Sequence, residues 1–530
     1  MLTVELDVVI EGGTVHDGTG RPGTRADVGV HGDRVEAVGD LRAATAGLRL
    51  DAGGLVVAPG FIDTHTHSDL VWRLGDEHLD LAAGTVRQGV TTEIAGNCGF
   101  SCFPCTPERR AALDRHVGAV LGGGAYPDLA AYAGAASGGR LLANLASLVG
   151  HGSLRAGVLG FENRPPRDDE LRTMRSLLEA AFEQGALGFS TGLVYLPGVY
   201  AGTDELIDLA GTVATYGRPY ISHIRGEGDS VAASVREAIR IGREAGLPTH
   251  VSHHKVAGRR NWGRTEETLG MIAAARAEGT DVSVDVYPYT AGSTLLQAVL
   301  PPWAQEGGID AILDRLRDGQ ARDRIRRDLA DGLPGWDSHV DAAGWDGIVI
   351  SACPGRPELE GRAVPEVASE LARAPADAVF DLLLEQRCRV LMIVHSMHEA
   401  DVGRVLGSEM AMIGSDGIPV PGRPHPRWAG TFSRVLGRYA RQRGLFDLAT
   451  AIHKMTGMPA DRFGLRGRGV IAQGAFADLV VLDPDVVVDR ATYDDPLLPP
   501  LGVRDVLVNG VPAVRDGELT GARAGRFLRA

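Results

Sequence analysis

Two histidines separated by one residue, His65 and His67, follow the apolar run VVAPGFID near the start of the chain. Successive side chains of a β-strand point to opposite faces, so residues two apart share one face. Two imidazoles on one face can bind the same metal ion. Taken alone, the pair fits two surface histidines equally well, and its interpretation depends on the rest of the chain.

Further side chains that bind metals or move protons stand where other strand-like runs end. They are Cys98, His223, His253 and Asp416. In a parallel barrel the carboxyl ends of all strands converge on one face, where barrel enzymes hold their catalytic groups. Imidazole and thiolate suit zinc, whereas magnesium and calcium prefer oxygen ligands. The pattern predicts a catalytic zinc, held by three protein ligands with one position open, and an acid beside it.

Each of these residues also has a plain structural interpretation. An unpaired cysteine such as Cys98 is often a small buried apolar residue, and Asp416 could cap a turn. His223 and His253 could be hydrogen-bonded core histidines, and since His254 follows directly, only one of that adjacent pair faces the barrel interior. The coincidence of all these positions with strand ends favours the metal site.

The elements that position these residues are read from apolar periodicity between residues 61 and 467. Strand-like runs alternate with helical stretches, of which DELRTMRSLLEAAFEQG and DSVAASVREAIRIGREAG are the clearest. Repeated strand and helix predict an α/β fold, a TIM-like (β/α)8 barrel. The strand candidates number nine, one too many for the barrel: FIDTHTH, VTTEIAGNCG, RLLANLASLVGHG, ALGFSTGLVY, PYISHIRGE, PTHVSHHK, DVSVDVYPY, RVLMIVHS and AMIGSDG.

Two further units are predicted outside this alternation. A charged, helix-rich stretch at about 295–348 breaks the rhythm, and we expect it to form an inserted subdomain over the barrel mouth. Both chain ends, 1–60 and 468–530, consist of short β-rich runs with glycine turns. Neither end has enough strands to bury a core alone, so we expect them to pair into one small β-sandwich.

Composition narrows the class of protein. The chain of 530 residues has a formal net charge of -14, which argues against a nucleic-acid partner because binding phosphates needs a basic face. It has neither a signal-peptide pattern nor a membrane-length apolar run. An odd number of cysteines, five, argues against a secreted disulfide framework. We therefore predict a cytoplasmic enzyme with a small-molecule substrate and no membrane partner; the sequence makes no prediction of oligomeric state.

Several longer motifs resemble one family. APGFIDTHTHSD marks the amidohydrolase superfamily, while GNCGFS, YISHIRGEGDS, VSHHK, DVYPYTAGST and the spacing of IGSDG to HPRWAGTF are narrower. With these motifs the chain resembles, nearly end to end, the D-aminoacylases, or N-acyl-D-amino-acid deacylases. The resemblance implies a zinc-dependent hydrolase that cleaves the amide bond of N-acyl-D-amino acids.

The resemblance also implies roles for individual residues. Cys98, His223 and His253 would hold a tightly bound zinc, and His65 and His67 would face a second, weaker metal position, with the Cys98 thiolate as the bridge. Asp416 would act as general base and then acid. Arg427 would bind the free carboxylate of the substrate, with Lys255, Tyr287 and Ser293 lining the same pocket.

One absence and one departure from the family pattern bear on this interpretation. Dihydroorotases and hydantoinases of the superfamily typically bridge two metals with a carboxylated lysine on the fourth strand, and ALGFSTGLVY has no lysine. This favours a linear amide as substrate, with Cys98 as the bridge. Cys102 and Cys105 are not part of the motif, and together with the insertion they leave the acyl and side-chain pockets undefined.

Two other hypotheses remain open. The protein could be a related amidase that acts on D-residue-containing peptides or natural products, which would share the same fold. It could also be a catalytically inactive amidohydrolase scaffold, although such proteins usually lose metal ligands and this chain keeps all of them.

Overall fold

The computed structural model of the protein describes residues 5–121, 123–139 and 141–530. Its strands follow the apolar runs of the sequence. They are β1 (Leu6–Val15), β2 (Thr24–His31), β3 (Arg34–Gly39), β4 (Ala46–Asp51), β5 (Val56–Pro59), β6 (Phe61–Asp63), β7 (Val90–Ala95), β8 (Asn144–Ser147), β9 (Val149–Gly150), β10 (Phe189–Gly192), β11 (Tyr220–His223), β12 (Thr249–Val251), β13 (Val282–Val286), β14 (Gly292–Leu295), β15 (Ile348–Ala352), β16 (Leu391–Val394), β17 (Ala411–Ile413), β18 (Leu479–Leu482), β19 (Val503–Val508), β20 (Val511–Arg515) and β21 (Glu518–Leu519).

The helices pack mainly around the central strands. They are α1 (Leu79–Ala82), α2 (Arg110–Leu121), α3 (Leu129–Ser137), α4 (His151–Val158), α5 (Asp168–Glu183), α6 (Thr203–Ala214), α7 (Val231–Ala245), α8 (Thr265–Ala277), α9 (Pro302–Gln305), α10 (Ile309–Arg317), α11 (Gly319–Asp331), α12 (His339–Ala343), α13 (Val364–Glu370), α14 (Pro375–Glu385), α15 (Glu399–Gly407), α16 (Arg427–Arg434), α17 (Leu448–Met455) and α18 (Gly457–Phe463). The two clearest helix predictions are confirmed as α5 and α7, and α7 ends at a left-handed glycine, Gly246, because only glycine adopts that conformation without strain.

A parallel barrel forms the centre of the molecule. One set of parallel strands runs β6, β7, β8, and another runs β9, β10, β11, β12, β13, β17. β8 and β9 are separated by one residue, and a parallel bridge from Thr66 to Gly417 joins the first strand to the last. The barrel strands β6 to β13 and β17 are buried along their whole length, as parallel strands with covered faces are. The predicted TIM-like barrel is therefore the observed fold.

The surplus strand candidate is RVLMIVHS. It contains β16, which pairs antiparallel with β14 and β15 in a separate three-stranded sheet. Helices α9 to α14 lie between β14 and β16 in the chain and share a separate apolar core with β15 and β16. The sheet begins and ends outside the predicted 295–348, so we propose 292–394 as the limits of the inserted unit.

The two chain ends meet in one sheet of order β21-β20-β19-β18-β5-β1-β2-β3, with β4 paired to β1. The junction is the antiparallel pair of β5 with β18, in which Pro59 faces Leu479. One face of this β-sandwich buries an apolar core that draws on both ends, including Val8, Val57 and Leu507. We retain 1–60 with 468–530 and 61–467 as the proposed domain limits; residues 1–4 lie outside the described part.

Among the described residues, no helix has the length and apolar character that a membrane span requires.

Candidate metal centre and active-site cavity

The predicted metal-binding residues converge at the carboxyl ends of the barrel strands. His65 and His67 follow β6, Cys98 follows β7, His223 ends β11 and His253 follows β12. All five side chains are at least nine-tenths buried. The barrel geometry thus brings together residues that are separated by up to almost 190 positions in the sequence.

Cys98 lies at the middle of this group. Its Sγ is 3.2 Å from His65 Nε2 and 3.4 Å from His253 Nε2. On the other side, His253 Nε2 is 2.9 Å from His223 Nδ1. The thiol thus stands between two imidazoles from different strands, which is the position that a bridging ligand requires.

The donor set fits zinc. The donor atoms of His65, Cys98, His253 and Asp416 all lie within 4.8 Å of one another. Ligands about 2.0–2.3 Å from one zinc ion stand about 3.3–3.8 Å apart in a tetrahedron. Nδ1 of His67 is buried without a hydrogen-bond partner in the part of the chain that the structure describes. Nitrogen, sulfur and carboxylate donors at this spacing suit zinc better than magnesium or calcium.

Positive charge on the neighbouring histidines favours the thiolate form of Cys98. Burial raises the pKa of the Cys98 thiol, but positive charge on His65, His253 and His223 outweighs burial and holds the pKa well below its usual value. A thiolate is the form of cysteine that binds metals.

Three of the site residues have unusual backbone conformations. Cys98, His253 and Asp416 have φ angles of 52°, 34° and 52°, a region that non-glycine residues seldom occupy. Such strain persists only where neighbouring structure enforces it, and it concentrates at functional sites. Each of these residues lies two or three positions after the end of a barrel strand, in the turn that leaves the strand.

Asp416 lies beside the metal-binding residues and faces four cationic or imidazole groups. Its Oδ1 is 3.3 Å from His67 Nε2 and 3.5 Å from His65 Nε2. Burial raises the pKa of this carboxyl, but the charge of Arg427, followed by those of His253 and His65, outweighs burial and holds the pKa well below its usual value. Asp416 is thus ionised.

The predicted carboxylate-binding residues lie around one cavity of about 310 Å³ whose wall includes Asp416, Lys255, Tyr287 and Ser293. Arg427 lies behind this wall and is fully buried. Its Nη1 is 2.9 Å from Asp416 Oδ2, and its guanidinium lies 4.6 Å from the centre of the Tyr287 ring. The Tyr287 hydroxyl and Arg427 Nε make no hydrogen bond to any described residue, whereas Arg427 Nη2 donates to the Ser293 carbonyl oxygen at 3.3 Å. The unpaired Tyr287 hydroxyl on the cavity wall is thus available to a ligand.

The insertion supplies one side of the same cavity. Trp336, Asp337 and His339, which precede or begin α12, line it together with barrel residues. Asp337 Oδ2 accepts hydrogen bonds from Gly228 N and Ser230 Oγ, at 2.9 and 2.7 Å, and so ties the insertion to the loop before α7. The insertion thus borders the cavity at the carboxyl ends of the barrel strands.

Three residues at the centre were absent from the sequence prediction. Glu227 accepts a hydrogen bond of 2.6 Å from Lys255 Nζ, and its Oε1 is 3.2 Å from His253 Nδ1. Asp285 and His250 lie beneath His65 and contact each other. Glu227 stands four residues after His223 in the quoted motif, which is a usable signal, whereas Asp285 and His250 lie inside strands and carry none.

Cys102 and Cys105 lie away from the metal centre in two apolar clusters. All five cysteines are free thiols. Burial raises the pKa of Cys102 and of Cys105, so both favour the protonated form. These two residues thus pack as apolar side chains.

Comparison with known proteins places this site in a family. A sequence profile of the amidohydrolase family matches residues 50–514. D-aminoacylase of Alcaligenes xylosoxydans xylosoxydans is 42% identical over 530 residues, which cover 99% of this chain and 97% of the relative.

Solved structures agree with this similarity. N-acyl-D-glutamate deacylase of Bordetella bronchiseptica, in complex with zinc and a phosphonate mimic of the tetrahedral intermediate, is 38% identical, with a TM-score of 0.84 over 99% of this chain and 100% of that one. A structure of D-aminoacylase, solved to study the functional role of its binuclear metal centre, is 40% identical. It has a TM-score of 0.83 and covers 99% of this chain and 100% of that one. This chain is a member of the amidohydrolase family.

Proposed function

We propose that the protein is a zinc-dependent hydrolase that cleaves the amide bond of N-acyl-D-amino acids and releases a carboxylate and a free D-amino acid. One observation carries the proposal: thiol, imidazole and carboxylate donors within 4.8 Å of one another border a cavity whose wall also holds Lys255, Ser293 and the unpaired hydroxyl of Tyr287. The relatives named D-aminoacylase and N-acyl-D-glutamate deacylase support it.

The metal ligands form part of this proposal. Cys98, His223 and His253 would hold the tightly bound zinc, and His65 and His67 would face a second, weaker position, with Cys98 between the two. The position of Cys98 Sγ between His65 and His253 supports this division. Zinc, when bound, supplies a Lewis acid and lowers the pKa of water to about 7.

Asp416 would do the proton transfer. As an ionised carboxylate beside the ligands, it accepts a proton from the attacking water and then donates it to the nitrogen of the leaving amine. The second transfer is needed because a free amide anion is a poor leaving group. His67, 3.3 Å from Asp416 Oδ1, keeps the carboxylate oriented toward the metal centre.

Lys255, Tyr287, Ser293 and Arg427 would hold the substrate carboxylate. Cationic and hydroxyl donors at one end of the cavity match a carboxylate, and a planar guanidinium matches it with two hydrogen bonds. With the carboxylate held there and the amide held at the metal centre, only one direction remains for the substituent on the Cα atom. This is how the site would select the D-enantiomer.

A location in the cytoplasm is also part of the proposal. All five cysteines are unpaired thiols, and four of them lie away from the metal centre. Free thiols persist in reducing surroundings. The free thiols therefore support a location in the cytoplasm.

The test is a matched panel of N-acyl D- and L-amino acids that varies side chain and acyl length, with products separated by chiral chromatography. Zinc per chain is measured on the same preparation by elemental analysis. We expect hydrolysis of D-substrates and about one zinc per chain. Hydrolysis of L-substrates alone would contradict the proposed function, and so would full activity in metal-free protein. Activity only on D-residue-containing peptides would favour the related amidase instead.

A further inference from the structure

A buried polar chain lies directly below the metal centre, inside the barrel. Asp285, on β13, is fully buried, and its Oδ2 is 3.4 Å from His65 Nδ1 and 2.7 Å from His250 Nε2. Its other oxygen accepts a hydrogen bond of 2.8 Å from the backbone N–H of His253. The chain ends at Ser283, whose Oγ is 2.8 Å from His250 Nδ1.

The contacts of Asp285 define which nitrogen of each imidazole carries the proton. An ionised carboxylate only accepts hydrogen bonds, so His65 Nδ1 and His250 Nε2 must both be donors. When His65 is neutral, as a metal ligand must be, its lone pair is on Nε2, the atom that faces Cys98 Sγ at 3.2 Å. His250 Nδ1 is left to accept a hydrogen bond from the Ser283 hydroxyl.

The same carboxylate also controls the backbone of a second candidate ligand. His253 has a φ of 34°, and its N–H is bound by Asp285 Oδ1. One side chain therefore connects candidate ligands that come from the ends of β6 and β12. Metal-binding histidines commonly donate their second ring N–H to a carboxylate, and removal of that partner typically costs 10–100-fold in metal affinity.

We propose that Asp285, held in place by His250, is a positioning residue of the metal centre: it fixes the tautomer of His65 and the backbone of His253, so that both Nε2 atoms face the metal centre beside Cys98 Sγ. The proposal rests on the metal centre of the proposed function but not on its substrate. His250 has its own part, because a carboxylate without that second donor could rotate away from His65.

The decisive variant is Asp285→Asn, which keeps the volume but replaces one acceptor by an N–H donor. An amide nitrogen that faces His65 Nδ1 forces the imidazole proton to Nε2, the metal-facing atom. Asp27→Asn is the matched control, since Asp27 is also buried and accepts two backbone N–H groups, but lies in the sheet of the chain ends.

The full-length protein is stripped of metal and titrated with Co²⁺ in competition with a chelator, and its visible absorption is recorded. For Asp285→Asn we expect cobalt affinity about 10–100-fold lower and a changed cobalt spectrum, while Asp27→Asn retains both. Cobalt affinity and spectrum equal to those of the parent would overturn the proposal. Absence of metal binding by the parent protein would instead contradict the proposed function.

A second pair of variants keeps the test decisive if Asp285→Asn does not fold. His250→Phe removes both ring nitrogens at similar volume, whereas His250→Gln keeps an N–H donor at the distance of Nε2. We expect His250→Phe to lower cobalt affinity and His250→Gln to restore most of it. If both variants bind cobalt with the affinity of the parent, His250 does not hold Asp285 in place.

Discussion

Asp416 illustrates how this chain concentrates function in single residues. It occupies a left-handed backbone conformation, contacts two histidines and pairs with a fully buried arginine. The backbone strain of such a residue costs about 1–3 kcal/mol, which folding alone does not require. A carboxylate held at this cost beside metal ligands is suited to proton transfer.

Replacement of this carboxylate by an amide tests that role. Asp416→Asn removes the proton acceptor while leaving the thiol and imidazole donors in place. We expect kcat to fall about 10²–10⁴-fold, the range typical of a lost general base, with zinc content unchanged by elemental analysis. The control is Asp204→Asn, because Asp204 is 95% exposed. Activity of Asp416→Asn close to that of the parent would remove Asp416 from the proposed mechanism.

His116 gives a prediction for the dependence of stability on pH. Burial lowers the pKa of this histidine from 6.5 to about 4, and its ring stacks on Phe100. Between pH 6.5 and pH 4 this histidine binds a proton in the unfolded chain but not in the folded protein. The free energy of unfolding therefore falls as pH falls from 6.5 toward 4. At about 1.4 kcal/mol per pH unit, the full interval amounts to about 3 kcal/mol.

The measurement compares unfolding midpoints at several pH values between 7 and 4. His116→Phe keeps an aromatic ring against Phe100 and cannot be protonated, so its midpoint should fall less on acidification than that of the parent. His31→Phe serves as control, since the His31 side chain is 57% exposed. Identical acid sensitivity in the parent and His116→Phe would contradict the role given to burial.

The residues of the candidate site could be predicted from the sequence more readily than the contacts that support them. His65, Cys98 and Asp416 were identified because metal-binding residue types at strand ends form a pattern in one dimension. Asp285 and His250 lie within strands, where a polar residue in an apolar run shows burial but not its partner. The contact between Asp285 and His250 depends on the pairing of β12 with β13, and that pairing is set by the whole barrel.

At the scale of elements, the sequence predicts nine strand candidates and a parallel barrel of eight, but not which candidate lies outside the barrel. β16 is fully buried along its four residues, as the barrel strands β10 and β11 are, so its burial pattern does not distinguish it from them. It pairs antiparallel with β14 and β15 because the chain between them returns as helices of the insertion. Local apolarity indicates a buried strand, but the sheet it joins depends on the connections.

Close packing of neighbouring elements positions Cys98. A Cβ atom on Gly192, the last residue of β10, would lie 2.0 Å from the carbonyl oxygen of Cys98. Gly192→Ala must therefore displace the backbone that carries the thiol. Because a displacement of about 1 Å can cost 10²-fold in rate, we expect kcat/KM to fall at least about tenfold and zinc per chain to decrease.

The matched control is Gly211→Ala in α6, where nothing lies within 4 Å of the added Cβ. Alanine in a helix interior is more stable than glycine by about 0.5–1 kcal/mol, so this variant should melt slightly higher with normal zinc content and activity. Full zinc content and activity in Gly192→Ala would show that the Cys98 turn adjusts without loss.

At the scale of the molecule, the barrel and the sheet of the chain ends are joined by a buried polar network. Asp478, next to β18, binds Arg468 and accepts a hydrogen bond from Asn509 N at 2.8 Å. Asn509 Nδ2 in turn donates to Asn144 Oδ1 of the barrel strand β8 at 2.7 Å. A few side chains thus connect residues that are more than 300 positions apart in the sequence.

Loss of the carboxylate in this network should destabilise the whole protein. Arg468 and Asp478 have side chains only 5% and 3% exposed, and removal of one partner of such a pair leaves an uncompensated buried charge, at a cost of about 3–5 kcal/mol. Asp478→Ala should therefore lower the thermal midpoint markedly. Asp40→Ala, which breaks a surface pair with Arg42 whose side chains are 61% and 83% exposed, should change it little.

A double variant distinguishes the contribution of the Arg468–Asp478 charge pair from that of the asparagine hydrogen bonds. In Arg468→Met with Asp478→Leu, both charges are gone and apolar side chains fill the space, an exchange that is often neutral or stabilising for buried ion pairs. We expect this variant to melt above Asp478→Ala, though the hydrogen bonds of Asn144 and Asn509 to Asp478 are lost in both. If the double variant melts as low as Asp478→Ala, the asparagine contacts, and not the charge pair, hold the sheet of the chain ends against the barrel.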